Sequence, residues 1–206
     1  ARTESQHIFI DMGLKASPAA TPRVLEIGFG TGLNAWLTLE EAERSRRNIH
    51  YIGLELYPLD WQTVEQLGYI SSDEQLTIHR KQTTTDEQFT PNEEKQQSAI
   101  ELFKQLHTSP WEKDVQLTPH FTLRKIETDV NKWRVENSPF NLVYFDAFAP
   151  EKQPEMWSQE LFNRLYVLLD RDGILTTYCA KGVVRRMLQT AGFTVERLPG
   201  PPGGKR

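Results

Sequence analysis

The sequence predicts an α/β fold: a doubly wound, mostly parallel sheet with helices on both faces and one inserted polar and helical region. Three observations carry this. Short apolar runs alternate with longer segments of helical period, the pattern of repeated β-α-β units. The first such run, Val24-Leu25-Glu26-Ile27, passes directly into glycines at alternate positions, Gly28, Gly30 and Gly32, and then into a helix-compatible stretch. A later run, Phe140 to Phe145, has the apolar character of a buried strand and ends in Asp146. The length, 206 residues, suits one domain over 1–206.

The elements follow in order. Up to Leu14, the segment Ser5 to Asp11 reads as a short strand or ordered arm, and Pro18 and Pro22 mark a loop. Strand one is Arg23 to Ile27. A helix runs from Gly32 or Leu33 to about Arg46, with Leu33, Trp36, Leu37 and Leu39 on its apolar face. Strand two is His50 to Leu54, ending at Glu55. Pro58 opens the next helix, where proline is tolerated in the first turn, and that helix carries Trp61, Val64 and Leu67. Gly68 to about Pro119 is too long for an ordinary connection of about 4–6 residues. It reads as an insertion at the fold's edge. Within it, Gln82 to Gln97 is polar and broken by Pro91, as in a mobile loop or lid, and a helix follows through Ile100, Leu102, Phe103 and Leu106. Alternation then resumes: a strand His120 to Ile126 ending near Asp129, the strand Phe140 to Phe145, and a helix Met156 to Leu169. A strand Gly173 to Cys179, a helix Lys181 to Ala191 capped by Gly192, and a final strand Phe193 to Leu198 complete the chain.

The composition narrows the function. Hydrophobic residues make up 38% and charged residues 25%, as in a soluble globular protein. No apolar run approaches the roughly 18 residues that span a bilayer, and no signal peptide is visible, so no membrane partner is expected. The single cysteine, Cys179, excludes an internal disulfide and a cysteine zinc site, and a cytoplasmic location fits best. His7, His50, His79, His107 and His120 show no ligand-like spacing, so no metal is expected. The net charge is −4, yet residues 171–206 hold seven basic and two acidic side chains. Such a patch suits nucleic acid, and suits a solvated surface equally.

In a doubly wound sheet the ligand lies beyond the carboxyl ends of the strands, where strand order reverses. The dinucleotide fingerprint G-x-G-x-x-G would put its third glycine at Leu33, which disfavours an NAD-dependent oxidoreductase. The spacing G-x-G-x-G after Glu26 resembles motif I of the class I S-adenosylmethionine (SAM)-dependent methyltransferases, whose sheet is Rossmann-like. The expected cofactor residues are Glu26, Gly28, Phe29, Gly30, Thr31, Gly32 and Asn34 from this loop, with Glu55, Tyr57, Asp129 and Asp146 from the later strand ends. Glu55 lies 27 residues after Gly28, placed to accept from ribose hydroxyls. Tyr57 and Leu59 suit adenine or simple packing. Asp129 suits the adenine amino group, and also an N-cap before Val130. Thr31 and Asn34 suit the methionine portion or the cap of the following helix.

Asp146-Ala147-Phe148-Ala149-Pro150 is the second strong signal. A carboxylate buried without a partner is costly, so Asp146 is expected to meet water, ligand or a cation. In methyl transfer to an amine it would orient the lone pair, accept the proton and stabilise the developing ammonium, which makes it the expected catalytic residue.

At this point the chain resembles one family, the methyltransferase domain of the tRNA 5-methylaminomethyl-2-thiouridine biosynthesis enzymes. The resemblance rests on Glu4 to Ile10, Glu26 to Asn34, Gly53 to Leu59, Asp146 to Pro150 with Pro154 to Trp157, Thr176 to Gly182 with Val184 to Arg186, Ala191 to Phe193, and Gly203 to Arg206. It implies methylation of the primary amine of 5-aminomethyl(-2-thio)uridine at the tRNA wobble position, with the anticodon loop as partner. Phe148 would sit beside the target base, and Tyr178, Lys181 and Arg185 would line the approach or hold phosphate. Core packing is the plainer reading of Phe148, Trp157 and Tyr178. The family's flavin-dependent oxidase domain does not fit this length, so a stand-alone form without FAD is expected, with a separate enzyme supplying the aminomethyl intermediate. Two other readings remain: a SAM-dependent methyltransferase of a small-molecule or protein amine, and a non-catalytic binding protein with the same fold.

Overall fold

The computed structural model describes residues 1–79, 94–135 and 139–200. Its central sheet has six strands in the order β5-β6-β2-β1-β7-β8. These are β1 (Arg23–Ile27), β2 (Ile49–Glu55), β5 (Val115–Thr118), β6 (Phe121–Glu127), β7 (Phe140–Phe145) and β8 (Leu169–Thr177). All neighbouring pairs are parallel except β5 with β6. A hairpin of β3 (Gln75–His79) and β4 (Glu94–Ser98) stands apart. The chain leaves β1 toward β2 on one side and returns through β7 on the other, so strand order reverses between β1 and β7.

Alternation along the strands splits the core into two layers. Leu142 and Tyr144 of β7 face one side with Val24, Tyr51 and Phe121, covered by Trp36 of α2 (Leu33–Ser45) and Phe103 of α4 (Ala99–Thr108). Val143 and Phe145 face the other with Leu25, Ile27 and Leu54. There they meet Phe162 of α5 (Gln159–Leu168) and Val184 of α6 (Gly182–Ala191).

Several sequence expectations need correction. Ser5 to Asp11 is helical: α1 (Arg2–Ser5) runs into a π-helical turn, Gln6–Asp11. β1 and β7 already have strand neighbours on both sides, so this segment lies across the sheet face instead, with Phe9 against Tyr144 at 5.2 Å between ring centroids. The final strand is absent among the described residues. Phe193 to Leu198 is irregular, held by Phe193 edge-on to Tyr166 and by His7 Nε2 donating to the Pro199 carbonyl at 2.6 Å. The helix expected at Pro58 starts later, as α3 (Trp61–Glu65), because Asp60 is a better cap: its side chain accepts from Thr63 N at 2.8 Å. The helix expected from Met156 is split by Trp157, whose indole donates to the Phe148 carbonyl at 2.7 Å; α5 begins after the Ser158 cap.

The 68–119 stretch, expected at the edge, also reaches the core through Leu102, Phe103 and Leu106 of α4. Residues 82–93 of the expected lid lie outside the described residues, and 94–97 belong to β4.

Candidate active site

Beyond the carboxyl ends of β1, β2 and β7 lies a cleft with a volume of about 700 Å³. The glycine loop forms its floor. Gly28, Gly30 and Gly32 have φ of 87°, 55° and 76°, a region that favours glycine. Gly28 N and Phe29 N donate to the Leu54 carbonyl at 3.1 and 2.9 Å, which fixes the loop on β2. A Cβ on Gly32 would lie 2.8 Å from His107 Nε2. Gly32→Ala is therefore expected to cost both backbone strain and a steric shift, about 1–3 kcal/mol in unfolding free energy; chemical denaturation reads it, and an unchanged midpoint refutes it.

Gly28, Phe29, Gly30, Thr31, Asn34, Glu55, Tyr57, Asp129 and Asp146 line this one cleft, together with Phe148 and Tyr178. Four expected site residues stand elsewhere. Glu26 is 1% exposed and sits behind the loop, because its position in β1 aims it under α2. It accepts from Tyr51 Oη at 2.7 Å and from Asn34 Nδ2 at 2.8 Å. Gly32 is buried against His107. Lys181 and Arg185 line a second, larger groove between β8 and residues 192–200, which meets the cleft at Tyr178. Lys181 is ion-paired there with Glu151. Asp129 caps a turn and not a helix, its Oδ1 accepting from Asn131 N at 2.9 Å.

Asn34 links the buried Glu26 carboxylate to the half-buried carboxylate of Asp146. Its Nδ2 also donates to Asp146 Oδ2 at 2.9 Å, and its Oδ1 is buried with no partner among the described residues. The Asp146 carboxylate, ionised at neutrality, only accepts, so the Asn34 nitrogen faces it. Burial pushes the Asp146 carboxyl up to about 6, the Asn34 hydrogen bond opposes this, and the charge of Glu4 adds to it. Burial, then the neighbouring Asp146, hold Glu26 well above the usual carboxylate range. Glu55 is already in place, with Oε1 accepting from Gly30 N at 2.7 Å and Oε2 from Tyr57 N at 3.1 Å. Beside it Leu56, Tyr57 and Leu59 present exposed apolar surface.

These residues fit a nucleoside joined to an amino acid. The orphaned Asn34 Oδ1 suits an ammonium group. Glu55 keeps lone pairs for ribose hydroxyls, and the surface beside it suits a base. Such a ligand is SAM. Sequence reasoning missed other lining residues: Ala1 and Ser5, brought over the cleft by α1, then Tyr69, Thr128, Lys152 and Gln153. It also missed Lys125, fully buried behind the site, although alternation with Phe121 and Leu123 places it on an inward face.

Comparison with known proteins agrees. The protein from Marinomonas sp. (strain MWYL1) named tRNA 5-methylaminomethyl-2-thiouridine biosynthesis bifunctional protein MnmC is 28% identical over 211 residues, 96% of this chain and 28% of that protein. The protein of the same name from Cupriavidus metallidurans is 30% identical over 210 residues, 98% of this chain and 29% of that protein. The chain thus spans less than a third of these relatives' length. The crystal structure of MnmC2 from Aquifex aeolicus shares the fold, with a TM-score of 0.63 at 20% identity over 94% of this chain and 56% of that chain. A family described as S-adenosyl-L-methionine-dependent methyltransferase matches residues 90–206. With that match over the greater part of the sequence, on a sheet and cleft built as described, the chain belongs to the S-adenosyl-L-methionine-dependent methyltransferases.

Proposed function

We propose that this chain transfers the methyl group of SAM to the primary amine of 5-aminomethyl(-2-thio)uridine at the wobble position of tRNA, giving the 5-methylaminomethyl product. The observation that carries the reading is Asp146: a carboxylate raised to about 6 by burial, held by Asn34 inside the cofactor cleft, with Phe148 70% exposed beside it. The likeness to the MnmC proteins supplies the substrate.

When bound, SAM supplies an electrophilic methyl group on a sulfonium. The chain's residues do the rest by binding, orientation and proton handling. Glu55 takes the ribose hydroxyls, Tyr57 and Asp129 the adenine, and Asn34 the methionine end. Asp146, ionised above pH 6, would accept a hydrogen bond from the incoming neutral amine, aim the amine's lone pair at the methyl carbon, and take up the proton released as the N–C bond forms and the methyl–sulfur bond breaks, the sulfur leaving as a neutral thioether. Phe148 offers a stacking face to the flipped uracil. Tyr178 stands at the rim, its hydroxyl donating to the Ala147 carbonyl at 2.6 Å, and Lys181 and Arg185 hold tRNA phosphates beyond it. A separate enzyme supplies the aminomethyl group, and the protein acts in the cytoplasm as one domain over 1–206. No helix among the described residues is long and apolar enough to cross a membrane.

The test is methyl transfer from labelled SAM into tRNA from cells stopped at the 5-aminomethyl stage, with fully modified tRNA as control. Label at the wobble uridine of the first alone is the expected result. Label in neither tRNA, with saturable SAM binding, overturns the substrate and points to another amine. Removing both rim cations, in the double variant Lys181→Ala with Arg185→Ala, is expected to raise KM for tRNA roughly three- to tenfold and flatten its salt dependence, with SAM affinity unchanged. Steady-state kinetics at two salt concentrations would show it; an unchanged KM places the RNA elsewhere.

A further inference from the structure

We infer that His107 is a positioning residue for the SAM cleft: from outside it, the imidazole ties down the Thr31 carbonyl and keeps the glycine loop in one shape. The inference rests on the cleft being the SAM site.

His107 lies in the last turn of α4, from the stretch that looked peripheral in sequence, and it does not line the cleft. Its Nε2 is 2.7 Å from the Thr31 carbonyl oxygen. A carbonyl only accepts, so Nε2 carries the proton and the tautomer is set. The ring is packed among aromatics, with centroids 4.9 Å from Phe103, 5.8 Å from Trp61 and 6.0 Å from Phe29, itself a loop residue. The helix turn that carries His107 is anchored in turn. Lys125 Nζ donates to the His107 carbonyl at 2.7 Å, a cation at a helix C-terminus, and lies 4.8 Å over the Trp111 ring. Burial lowers the imidazole to about 4, so near neutrality it is uncharged and keeps a single donor.

Thr31 needs such a tie. It sits between Gly30 and Gly32, both at positive φ, in a loop whose glycines have wide conformational freedom when untethered. The Glu55 carboxylate holds the loop at Gly30 N, and His107 holds it again at the Thr31 carbonyl. A loop ordered before the ligand arrives binds it with less loss of entropy. The small-residue requirement at Gly32 follows from the same ring, since a Cβ there meets His107 Nε2.

The test compares His107→Phe, which keeps a ring and loses the donor, with His107→Gln, whose amide nitrogen reaches the same carbonyl. SAM and its demethylated product are titrated calorimetrically into the whole chain, with thermal melts and kcat at saturating SAM alongside. His107→Phe is expected to weaken SAM binding roughly tenfold, the loss of one partly buried hydrogen bond, with kcat within about twofold. His107→Gln is expected to recover most of the affinity. Equal affinity of the two variants overturns the inference, as does a loss that appears in melting temperature and kcat rather than in Kd. Failure of the unaltered chain to bind SAM would instead bring down the reading of the cleft itself.

Discussion

Asp146→Asn is expected to lower kcat for methyl transfer by roughly two to three orders of magnitude, while Kd for SAM stays within a few-fold. The asparagine keeps an acceptor for Asn34 Nδ2, so the link that holds the site at 2.9 Å survives. It loses the negative charge that offsets the ammonium and the basicity that takes its proton. Single-turnover kinetics with saturating SAM would separate the two; residual turnover near the unaltered rate would remove Asp146 from the chemistry. The same carboxyl is expected to set the acid side of the pH profile. Its apparent value near 6 means the base form is lost as pH falls below that, about tenfold per unit. Glu4→Gln removes a negative charge that raises Asp146, so the acid limb is expected to move to lower pH; a limb that stays in place would exclude that coupling.

The same shift has a cost in stability. The folded Asp146 is raised from 3.8 to about 6, so the native state holds its proton more tightly than the unfolded chain. The favourable contribution is complete below about pH 4 and is lost as pH rises through 6, leaving the buried charge as a burden at neutrality. Asp146→Asn is therefore expected to stabilise the fold at pH 7 by about 1–3 kcal/mol and to gain nothing at pH 4. A variant that loses activity and melts higher at pH 7 distinguishes a functional carboxylate from a structural one.

What was legible in the sequence was what local rules govern. Alternation and glycine spacing depend on neighbours within a few residues, and β1, α2, β2 and β7 stand where those patterns put them. The strand ends at Glu55 and Asp146 followed, because a parallel sheet aligns its carboxyl ends. The rest depended on contacts far apart in sequence. Ile8-Phe9-Ile10 suits a strand as well as a helix, and only the strand neighbours already flanking β1 and β7 decide it. Phe193 to Leu198 has strand composition, yet Phe193 is tied back to the end of α6, its N donating to the Leu188 carbonyl and its ring edge-on to Tyr166, and His7 holds the following Pro199 carbonyl. Glu26 reads as a ligand contact from its motif, but one residue short of the strand end it faces Tyr51 and Asn34. His107 carried no signal, since its partner Thr31 is 76 residues away.

Glu55→Ala is expected to weaken SAM binding by about 10²-fold with kcat at saturating SAM largely retained. Two losses combine. In the proposed reading the carboxylate accepts from the ribose hydroxyls through charge-assisted bonds, each worth about 1.5–3 kcal/mol when no water replaces it. It also accepts from Gly30 N and Tyr57 N, so its removal frees the loop and the start of the exposed apolar surface at Tyr57 together. Glu55→Gln keeps one acceptor and is expected to fall between, about tenfold weaker than the unaltered chain. The shares can be separated by a cycle with a cofactor analogue lacking both ribose hydroxyls. If Glu55 recognises ribose directly, the analogue binds Glu55→Ala nearly as well as the intact ligand does, because the partner it lacks is already gone. If Glu55 acts only by holding Gly30, the two losses add in full. Strict additivity would move ribose recognition away from the end of β2 and leave Glu55 a loop anchor.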